Sequence, residues 1–342
     1  MSLRILSAAN VEHLINKLSL NELICETGKV FHLLSHEALS ISNPLRSTVG
    51  LDAGGRLLTM AASVKQLGTS VKLVGIVPES RQPGLAATTV FLDGSSGVPR
   101  CILNARHLTA LRTAAGSLLA TRLLLLGARP PVTLALFGSG LQAQYHAELF
   151  LASFQSIRNC YILCRDRSSR SAQTLSARLN SRADPERQVV TTLVSEQDED
   201  RISRILEADI LCFATPSTVP LVDSSWVRPG AHVVLVGSYT PAMREVPAEL
   251  IKRASKIVVD SREHALAEAG ELSSTAADDL MELGKLVSAE GDGIAEEVAI
   301  AQKGNITIFK SVGLAIQDVM IASLLTRQAE ALSVGTVIEE FD

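Results

Sequence analysis

The sequence predicts an α/β protein in which a doubly wound parallel sheet is joined to a second, α+β domain. Three observations predict this fold. Apolar strands alternate with helices from Val132 onward, a glycine-rich turn follows the first of these strands, and the region before Val132 has a different pattern. Parallel strands covered on both faces are continuous apolar runs, as here. With 342 residues, 46% of them hydrophobic, the chain is long enough for two domains.

Charge and composition exclude several classes of protein. The net charge is -4 and Lys and Arg are dispersed, so we expect no nucleic-acid partner. The longest apolar run, Ile210 to Ala214, is far shorter than a membrane span, and the N-terminus lacks the apolar stretch of a secretion signal. The five cysteines are scattered without a C-x-x-C pair, which indicates structural thiols, a reducing compartment and no metal site. The sequence therefore predicts a cytoplasmic protein that binds neither membrane nor metal.

The first third of the chain begins with helices and continues with short strands. Residues 1 to about 42 have apolar residues at the three- and four-residue spacing of helices. Strand-like runs, glycine-containing turns and one long helix follow. The predicted strands are Leu57–Met60, Val71–Val77, Thr88–Leu92 and Arg100–Leu103, the turns are Gly54–Gly55, Pro83–Gly84 and Gly94–Gly97, and the helix is His107–Leu126.

The second part of the chain alternates strands and helices. The predicted strands are Val132–Phe137, Tyr161–Leu163, Val189–Val194, Ile210–Phe213, Val233–Val236 and Ile257–Val259, and the helices are Leu141–Phe154, Ser168–Leu179 and Ile202–Ala208. The last strand and helix, Ile306–Phe309 and Val312–Leu332, have no further β–α partner, and we expect them to return to the N-terminal domain. The predicted domains are therefore 1–130 with 305–342, and 131–304.

The motif Gly138-Ser139-Gly140-Leu141-Gln142-Ala143 is G-x-G-x-x-A, between the first of these strands and a helix. Gly138 permits the tight turn, Gly140 lets the backbone approach a pyrophosphate, and Ala143 lets helix and strand pack closely. The helix N-terminus supplies N–H groups and a positive dipole end. This context predicts a Rossmann domain whose dinucleotide contacts Gly138, Ser139, Gly140, Leu141 and Gln142.

The segment after the second strand bears on the choice between NADP and NAD. An NAD site places an acidic residue at this strand tip, whereas an NADP site has basic and small polar groups there. Here the tip is Cys164, followed by Arg165, and Arg167 and Ser168 add further donors. We therefore predict NADPH, with NADH as the alternative because Asp166 could serve a ribose.

Further nucleotide contacts are expected at the carboxyl ends of the later strands. These positions are Ala214 and Thr215 after the fourth strand, and Val236 and Ser238 after the fifth.

Five stretches of the sequence together carry a resemblance to a known family. They are Leu108–Ala115, the Gly-Ser-Gly-Leu-Gln-Ala turn, Gly230–His232, Val236–Ser238 and Phe309–Asp318. With these motifs, the sequence resembles the ornithine cyclodeaminase/mu-crystallin family over most of its length. The resemblance implies a homodimer whose N-terminal domain forms both the dimer interface and the substrate pocket, beside a Rossmann domain.

In that family, basic residues that match Arg46, Lys72 and Arg112 hold the α-carboxylate of a small substrate. The residues support this role, because Lys72 lies in an apolar strand where a charge needs a partner or an anionic ligand. Arg112 interrupts an apolar helix face, and its guanidinium suits a planar carboxylate. The alternatives are a surface lysine, a solvated loop arginine for Arg46 and an internal salt bridge for Arg112. We also assign Arg112 and Thr113 to the nucleotide site, and Asp318 receives no role.

The chain departs from cyclodeaminases at Tyr239, where they carry a catalytic Asp. This difference favours members that reduce a C=N bond. We predict reduction of a cyclic ketimine carboxylate, with Lys72, Arg112 and Tyr239 as catalytic residues. The alternatives are an ornithine cyclodeaminase, an alanine dehydrogenase-like enzyme, and a mu-crystallin-type protein that binds NADPH and a small acid without turnover.

Overall fold

The structure is a computed structural model that describes residues 2–77, 86–182, 187, 189–291, 293 and 306–341. The described residues fall into two compact units. The first lies within Met1–Arg112, Val287–Asp292 and Leu314–Asp342, and the second within Thr113–Leu286 and Gly293–Gly313. Among the helices of the described residues, none has the length and apolar character needed to cross a membrane.

The elements follow the chain in two blocks before the C-terminal segment. Up to the end of α3 they are β1 (Leu3–Leu6), α1 (Ala8–Ile15), α2 (Leu20–His36), β2 (Ile41–Ser42), β3 (Ser47–Gly50), β4 (Arg56–Val64), β5 (Gly68–Ile76), β6 (Ala86–Leu92), β7 (Pro99–Asn104) and α3 (Ala105–Leu124). The next block is β8 (Thr133–Phe137), α4 (Leu141–Ser153), β9 (Asn159–Cys164), α5 (Arg170–Arg182), β10 (Val190–Ser195), α6 (Arg201–Leu206), β11 (Ile210–Phe213), β12 (His232–Leu235), α7 (Ala248–Lys252), β13 (Ala254–Val259), α8 (Arg262–Glu268) and β14 (Leu280–Glu282). The chain ends with β15 (Ile306–Lys310), α9 (Ala315–Ala331) and β16 (Thr336–Ile338).

The first unit is built on a mixed sheet with one face covered by α9. The strand order is β16-β1-β7-β6-β5-β4-β2, and β3 also pairs with β4. Alternate residues of β5, including Ser70, Lys72 and Val74, are buried, as expected for a strand with one face on the core. Helix α9 packs on β4, β5 and β6 and is buried along almost its whole length. Polar residues of α9 therefore lie inside the unit.

The second unit is built on a parallel sheet with the order β10-β9-β8-β11-β12-β15-β13-β14. Strands β8, β9 and β10 extend in one direction and β11 starts the other half, so the order reverses between β8 and β11. Ligands of such sheets bind outside the carboxyl ends of the strands at this reversal. At these ends the rings of Phe137 and Phe213 stack with centroids 4.1 Å apart.

The predicted fold class is confirmed, and several details differ. Residues 3–6 form β1, although the N-terminal segment was predicted to be helical, because a four-residue strand is too short to show an alternation. Ile306–Lys310 was assigned to the N-terminal domain, but it forms β15 between β12 and β13 of the parallel sheet. A strand inserted between two earlier strands leaves no mark in the local pattern. The first unit reaches Arg112 rather than residue 130. The turn predicted at Pro83–Gly84 lies outside the described residues.

Candidate functional site

The first unit contains a buried cluster of two cations that share one carboxylate. Lys72 Nζ lies 2.7 Å from Asp318 Oδ2, and Arg112 Nε donates to Asp318 Oδ1 over 3.1 Å. The three residues are 1%, 3% and 0% exposed, respectively, for Lys72, Arg112 and Asp318. The cluster joins strand β5, helix α3 and helix α9. It brings together two of the three basic residues that the sequence analysis selected.

Gln317 holds the Arg112 side chain in place. Its Oε1 accepts hydrogen bonds from Arg112 Nη1 over 3.1 Å and from Leu314 N over 3.0 Å. Its Nε2 donates to the backbone oxygen of Arg112 over 3.1 Å. Of the five N–H groups of the guanidinium, Nε–H and one Nη1–H are thereby used. The described residues use none of the other guanidinium N–H groups, which can take a bidentate carboxylate.

The cluster has more positive than negative charge. The charges of Arg112, Asp318 and Arg46 all influence the pKa of Lys72. Arg46 is a half-buried residue of the loop before β3. Desolvation by burial, followed by the charge of Arg112, lowers the pKa of Lys72 to about 7, although Asp318 opposes this shift. Among the described residues, the two buried cations Lys72 and Arg112 thus share the one carboxylate of Asp318, and the charge of Arg46 acts on Lys72 as well. An anionic ligand would balance this charge.

Asp318 is the member of this cluster to which the sequence analysis gave no role. Its side chain is fully buried and satisfies both cations at once. The sequence does contain a feature that could have identified it, because Asp318 is an isolated charge in the apolar stretch Ile316–Leu325. The same argument supported the role that the family resemblance gave to Lys72 in β5.

The second unit has a cavity of about 650 Å³ at the carboxyl ends of its strands. It is lined by the turn after β8, the ends of β9 and β11 and the segments that follow them. Lining residues include Gly138, Ser139, Gly140, Cys164, Arg165, Asp166, Ser169, Ser171, Glu196, Arg201, Ala214, Thr215, Pro216 and Ser217. This cavity lies where the strand order reverses, as predicted for a dinucleotide.

The backbone of the glycine-rich turn fits a dinucleotide. Gly138 has φ +109°, and an added Cβ would lie 2.9 Å from the oxygen of Ala214, so glycine is required there. A Cβ added to Gly140 would contact nothing within 4 Å, so its backbone faces open space. Gly140 is also the N-cap of α4 and makes no side-chain capping bond. The first N–H groups of α4 are therefore available to phosphate oxygens.

The residues after β9 differ in how they are engaged. Asp166 Oδ1 accepts hydrogen bonds from the N–H and the hydroxyl of Ser168, each over 2.7 Å. Ser168 thereby lowers the pKa of Asp166. Arg167 lies 3.2 Å from Asp198, whereas Arg165 is exposed at the cavity. Of these charged groups, Arg165 is the one best placed to meet a ligand.

The other selected positions vary in their surroundings. Val236, Leu141 and Gln142 are half-buried, and Thr113 is 6% exposed on α3. Ser238 is fully buried and donates from its hydroxyl to Met243 O over 2.9 Å, so the hydroxyl is engaged inside the unit. Tyr239 follows it and is half-buried. The described part of the chain contains no group of three His, Cys, Asp or Glu residues that could hold a metal ion.

Comparison with known proteins identifies relatives over most of the chain. Residues 4–332 match the model of the ornithine cyclodeaminase/mu-crystallin family. A Δ1-pyrroline-2-carboxylate reductase of Bacillus cereus is 32% identical over 291 residues, which cover 82% of this chain and 83% of the relative. The ketimine reductase mu-crystallin of Macropus fuliginosus is 32% identical over 255 residues, with 73% and 72% covered.

Solved structures show the same architecture. The Δ1-pyrroline-2-carboxylate reductase of Thermococcus litoralis, in complex with NADH and L-proline, has a TM-score of 0.82 and 26% identity, with 98% of this chain and 99% of that chain covered. An archaeal alanine dehydrogenase dimer with bound NAD has a TM-score of 0.81 and 25% identity, and both chains are covered completely.

Asp318→Asn tests whether the shared carboxylate keeps Lys72 charged inside the protein. Near pH 6 the variant should be less stable by about 3–5 kcal/mol, because two cations lose their buried counterion. Near pH 9 the deficit should shrink, since Lys72 can then be buried as the neutral amine while it stays protonated in the unfolded chain. Thermal unfolding at the two pH values measures this difference.

Asp200→Asn, which removes an exposed ion pair with Arg204, is the matched control and should leave the unfolding temperature nearly unchanged. An Asp318→Asn deficit that is equal at both pH values would contradict the assigned protonation change.

Proposed function

The chain belongs to the ornithine cyclodeaminase/mu-crystallin family, and from that premise we propose that it reduces a cyclic ketimine carboxylate to the cyclic amino acid. The substrate is of the Δ1-pyrroline-2-carboxylate or Δ1-piperideine-2-carboxylate class, and NADPH is the reductant. The enzyme is thus an oxidoreductase that acts on a C=N bond. The observation that carries this proposal is the surplus of buried positive charge around Asp318.

Two relatives named as reductases of such imines support the chemistry. Their sequences are each 32% identical to this chain over 291 and 255 residues. The related Thermococcus litoralis structure contains L-proline, which is the product of pyrroline-2-carboxylate reduction. A small cyclic acid of this kind matches the charge and the donors of the cluster.

Arg112 and Arg46 would hold the substrate carboxylate. The guanidinium of Arg112 is positioned by Asp318 and Gln317, so little side-chain freedom is lost when a ligand binds. Arg46 supplies a second positive charge from the loop before β3. Contacts at more than one point fix the orientation of the ring, which is the main requirement for hydride transfer.

Lys72 is the proton donor in this mechanism. The imine nitrogen must be protonated for its carbon to accept a hydride, which the reduced nicotinamide supplies when it is bound. A pKa of about 7 makes the Lys72 ammonium a stronger acid than an exposed lysine. When Lys72 has given up its proton, Asp318 still balances the charge of Arg112, so the buried cluster stays compensated.

Three features of the segment after β9 support NADPH over NADH. The strand ends in Cys164 rather than an acidic residue, Arg165 lines the cavity, and the Asp166 carboxylate is engaged by Ser168. An Arg–phosphate contact contributes about 1.5–3 kcal/mol. NADH remains the alternative, because the Thermococcus litoralis structure contains NADH.

The remaining assignments are proposals of the same kind. A homodimer is supported by the family and by the related alanine dehydrogenase dimer, and a cytoplasmic location by the scattered cysteines. Tyr239 would donate a hydrogen bond to the substrate or shape its pocket. Since it replaces the acidic residue of cyclodeaminases, we do not favour cyclodeamination. The similarity to alanine dehydrogenase keeps reductive amination of a 2-oxo acid as the second candidate.

An assay of NADPH oxidation separates these functions. We expect rapid oxidation with pyrroline-2-carboxylate or piperideine-2-carboxylate, and at least tenfold lower kcat/KM with pyruvate plus ammonia, because the acyclic imine must first form. Ornithine serves as the control for cyclodeamination and should give no proline. Turnover with pyruvate and ammonia alone would overturn the ketimine proposal, and NADPH binding without any turnover would favour a binding protein.

The pH profile tests Lys72 as the proton donor. Because the donor must be protonated, kcat/KM for the imine should be constant below the Lys72 pKa and fall as pH rises through about 7. The bound carboxylate is an anion that raises the pKa, so the fall in kcat should occur at higher pH than that in kcat/KM.

Lys72→Arg is the matched variant, since it retains a positive charge for the carboxylate but releases no proton near neutral pH. We expect kcat to fall by about 10²–10⁴-fold, the decrease above pH 7 to vanish, and KM to change much less. An unchanged profile in this variant would exclude Lys72 as the donor.

Arg165→Ala tests the nucleotide preference. If Arg165 binds the 2′-phosphate, the ratio of kcat/KM for NADPH over NADH should fall by about tenfold or more. Arg170, an exposed arginine at the start of α5, is the control, and its replacement by Ala should leave the ratio unchanged. If Arg165→Ala has the same ratio of kcat/KM for NADPH over NADH as the wild type, the 2′-phosphate is bound elsewhere.

A further inference from the structure

The second unit contains another group of buried charges, which the mechanism above does not use. Glu245, Glu271 and Lys310 are 0%, 5% and 0% exposed, respectively. Lys310 Nζ lies 3.3 Å from Glu271 Oε1, and the charge of Lys310 also acts on Glu245. None of the three is among the residues that line the cavity. The side chains of Glu245 and Lys310 instead bind the backbone of segments that follow the strands.

Glu245 joins the segments that follow β11 and β12. Its Oε1 accepts from Thr215 N over 2.7 Å and from the Thr215 hydroxyl over 2.8 Å. Its Oε2 accepts from Gly237 N over 2.7 Å. A Cβ at Gly237 would overlap both the Thr215 oxygen and the Glu245 carboxylate, so only glycine permits this close approach. One carboxylate thereby sets the separation of the two segments.

Lys310 fixes the next residue of the same segment. Its ammonium donates to Ser238 O over 2.6 Å. The Ser238 hydroxyl donates to Met243 O over 2.9 Å and accepts from Gly270 N over 3.2 Å. The backbone is therefore held at 237 and 238, and Tyr239 follows directly.

Holding a loop with buried charges lowers the stability of the fold, because each ion loses its hydration. Burial raises the pKa of Glu245, and Lys310 and the N–H donors counteract this shift. The arrangement is understandable if the position of the loop matters to the reaction. In Rossmann domains the second half of the sheet, here β11 and β12, binds the nicotinamide half of the dinucleotide. Small displacements of a reacting group lower rates strongly.

We propose that Glu245 and Lys310 are positioning residues that set the place of the nicotinamide half of the dinucleotide and of Tyr239. They act through the backbone at Thr215, Gly237 and Ser238 and touch neither substrate nor cofactor. This inference rests on the proposed function, since it assumes a pyridine nucleotide in the cavity.

Glu245→Gln is the direct test, because Gln has the same shape but one acceptor oxygen fewer for the three donors. Two probes are titrated, NADPH and 2′-phospho-ADP-ribose, which lacks the nicotinamide. We expect the affinity for NADPH to fall by about tenfold, as for the loss of one charged hydrogen bond. The affinity for 2′-phospho-ADP-ribose should change by less than about twofold, because this probe is bound by the other half of the sheet.

Asp209→Asn is the matched control in the same unit. Asp209 also accepts from two backbone N–H groups, those of Val132 and Thr133, but at the amino ends of the strands. It should lower the unfolding temperature without changing the affinity for either probe. If Glu245→Gln does not fold, Glu245→Asp keeps the charge and both acceptors, and its shorter side chain should produce the same selective loss of NADPH affinity.

Equal losses for both probes, or a lower unfolding temperature with unchanged NADPH affinity, would overturn the positioning role. These binding measurements do not depend on turnover. If the wild-type protein does not reduce the imines but Glu245→Gln still loses affinity for NADPH alone, the proposed reaction is contradicted and this inference stands.

Discussion

The carboxylate of Asp318, shared by Lys72 and Arg112, is the interaction on which the proposed site depends. A strand, a helix that follows the first sheet and the C-terminal helix each contribute one charged residue, and the two cations depend on the Asp318 carboxylate to be buried as charged groups. Helix α9 is buried along nearly its whole length because it covers the sheet. Its single buried acid therefore determines where two cations from distant parts of the chain can meet.

The two buried charge groups differ in what their side chains contact. Around Asp318, Lys72 and Arg112 share one carboxylate, and Arg112 has N–H donors that the described residues do not use. Around Glu245, the carboxylate accepts three hydrogen bonds from its own chain, two of them from backbone N–H groups. Spare guanidinium donors suit an anionic ligand, whereas a carboxylate that accepts from backbone N–H groups holds the backbone. The two proposals, ligand binding in one unit and positioning in the other, rest on this difference.

Local patterns predicted most of the elements and the glycine-rich turn, whereas the basic residues were selected from the family resemblance. Gly138 was selected because it begins a G-x-G-x-x-A motif after a strand, and the charge of Lys72 inside an apolar strand supported its role. Asp318 shows the same kind of signal, but its role depends on partners 206 and 246 positions away in the chain (318 − 112 and 318 − 72). β15 could not be placed for a similar reason, since its neighbours β12 and β13 precede it and no local feature marks an insertion. The features that could not be predicted are therefore contacts between residues that lie far apart in the chain.

In the proposed mechanism, the pairing of a lysine with an arginine would let one site both bind an acid and protonate it. Arginine side chains in general do not lose their proton in proteins, so the affinity for the carboxylate does not depend on the charge of Lys72 alone. Lys72, with a pKa of about 7, changes charge in the range where an imine reduction needs a proton. If both cations were arginines, the site would bind the substrate and supply no proton. If both were lysines, each proton transfer would weaken the hold on the carboxylate, so the mixed pair is the combination that suits the reaction.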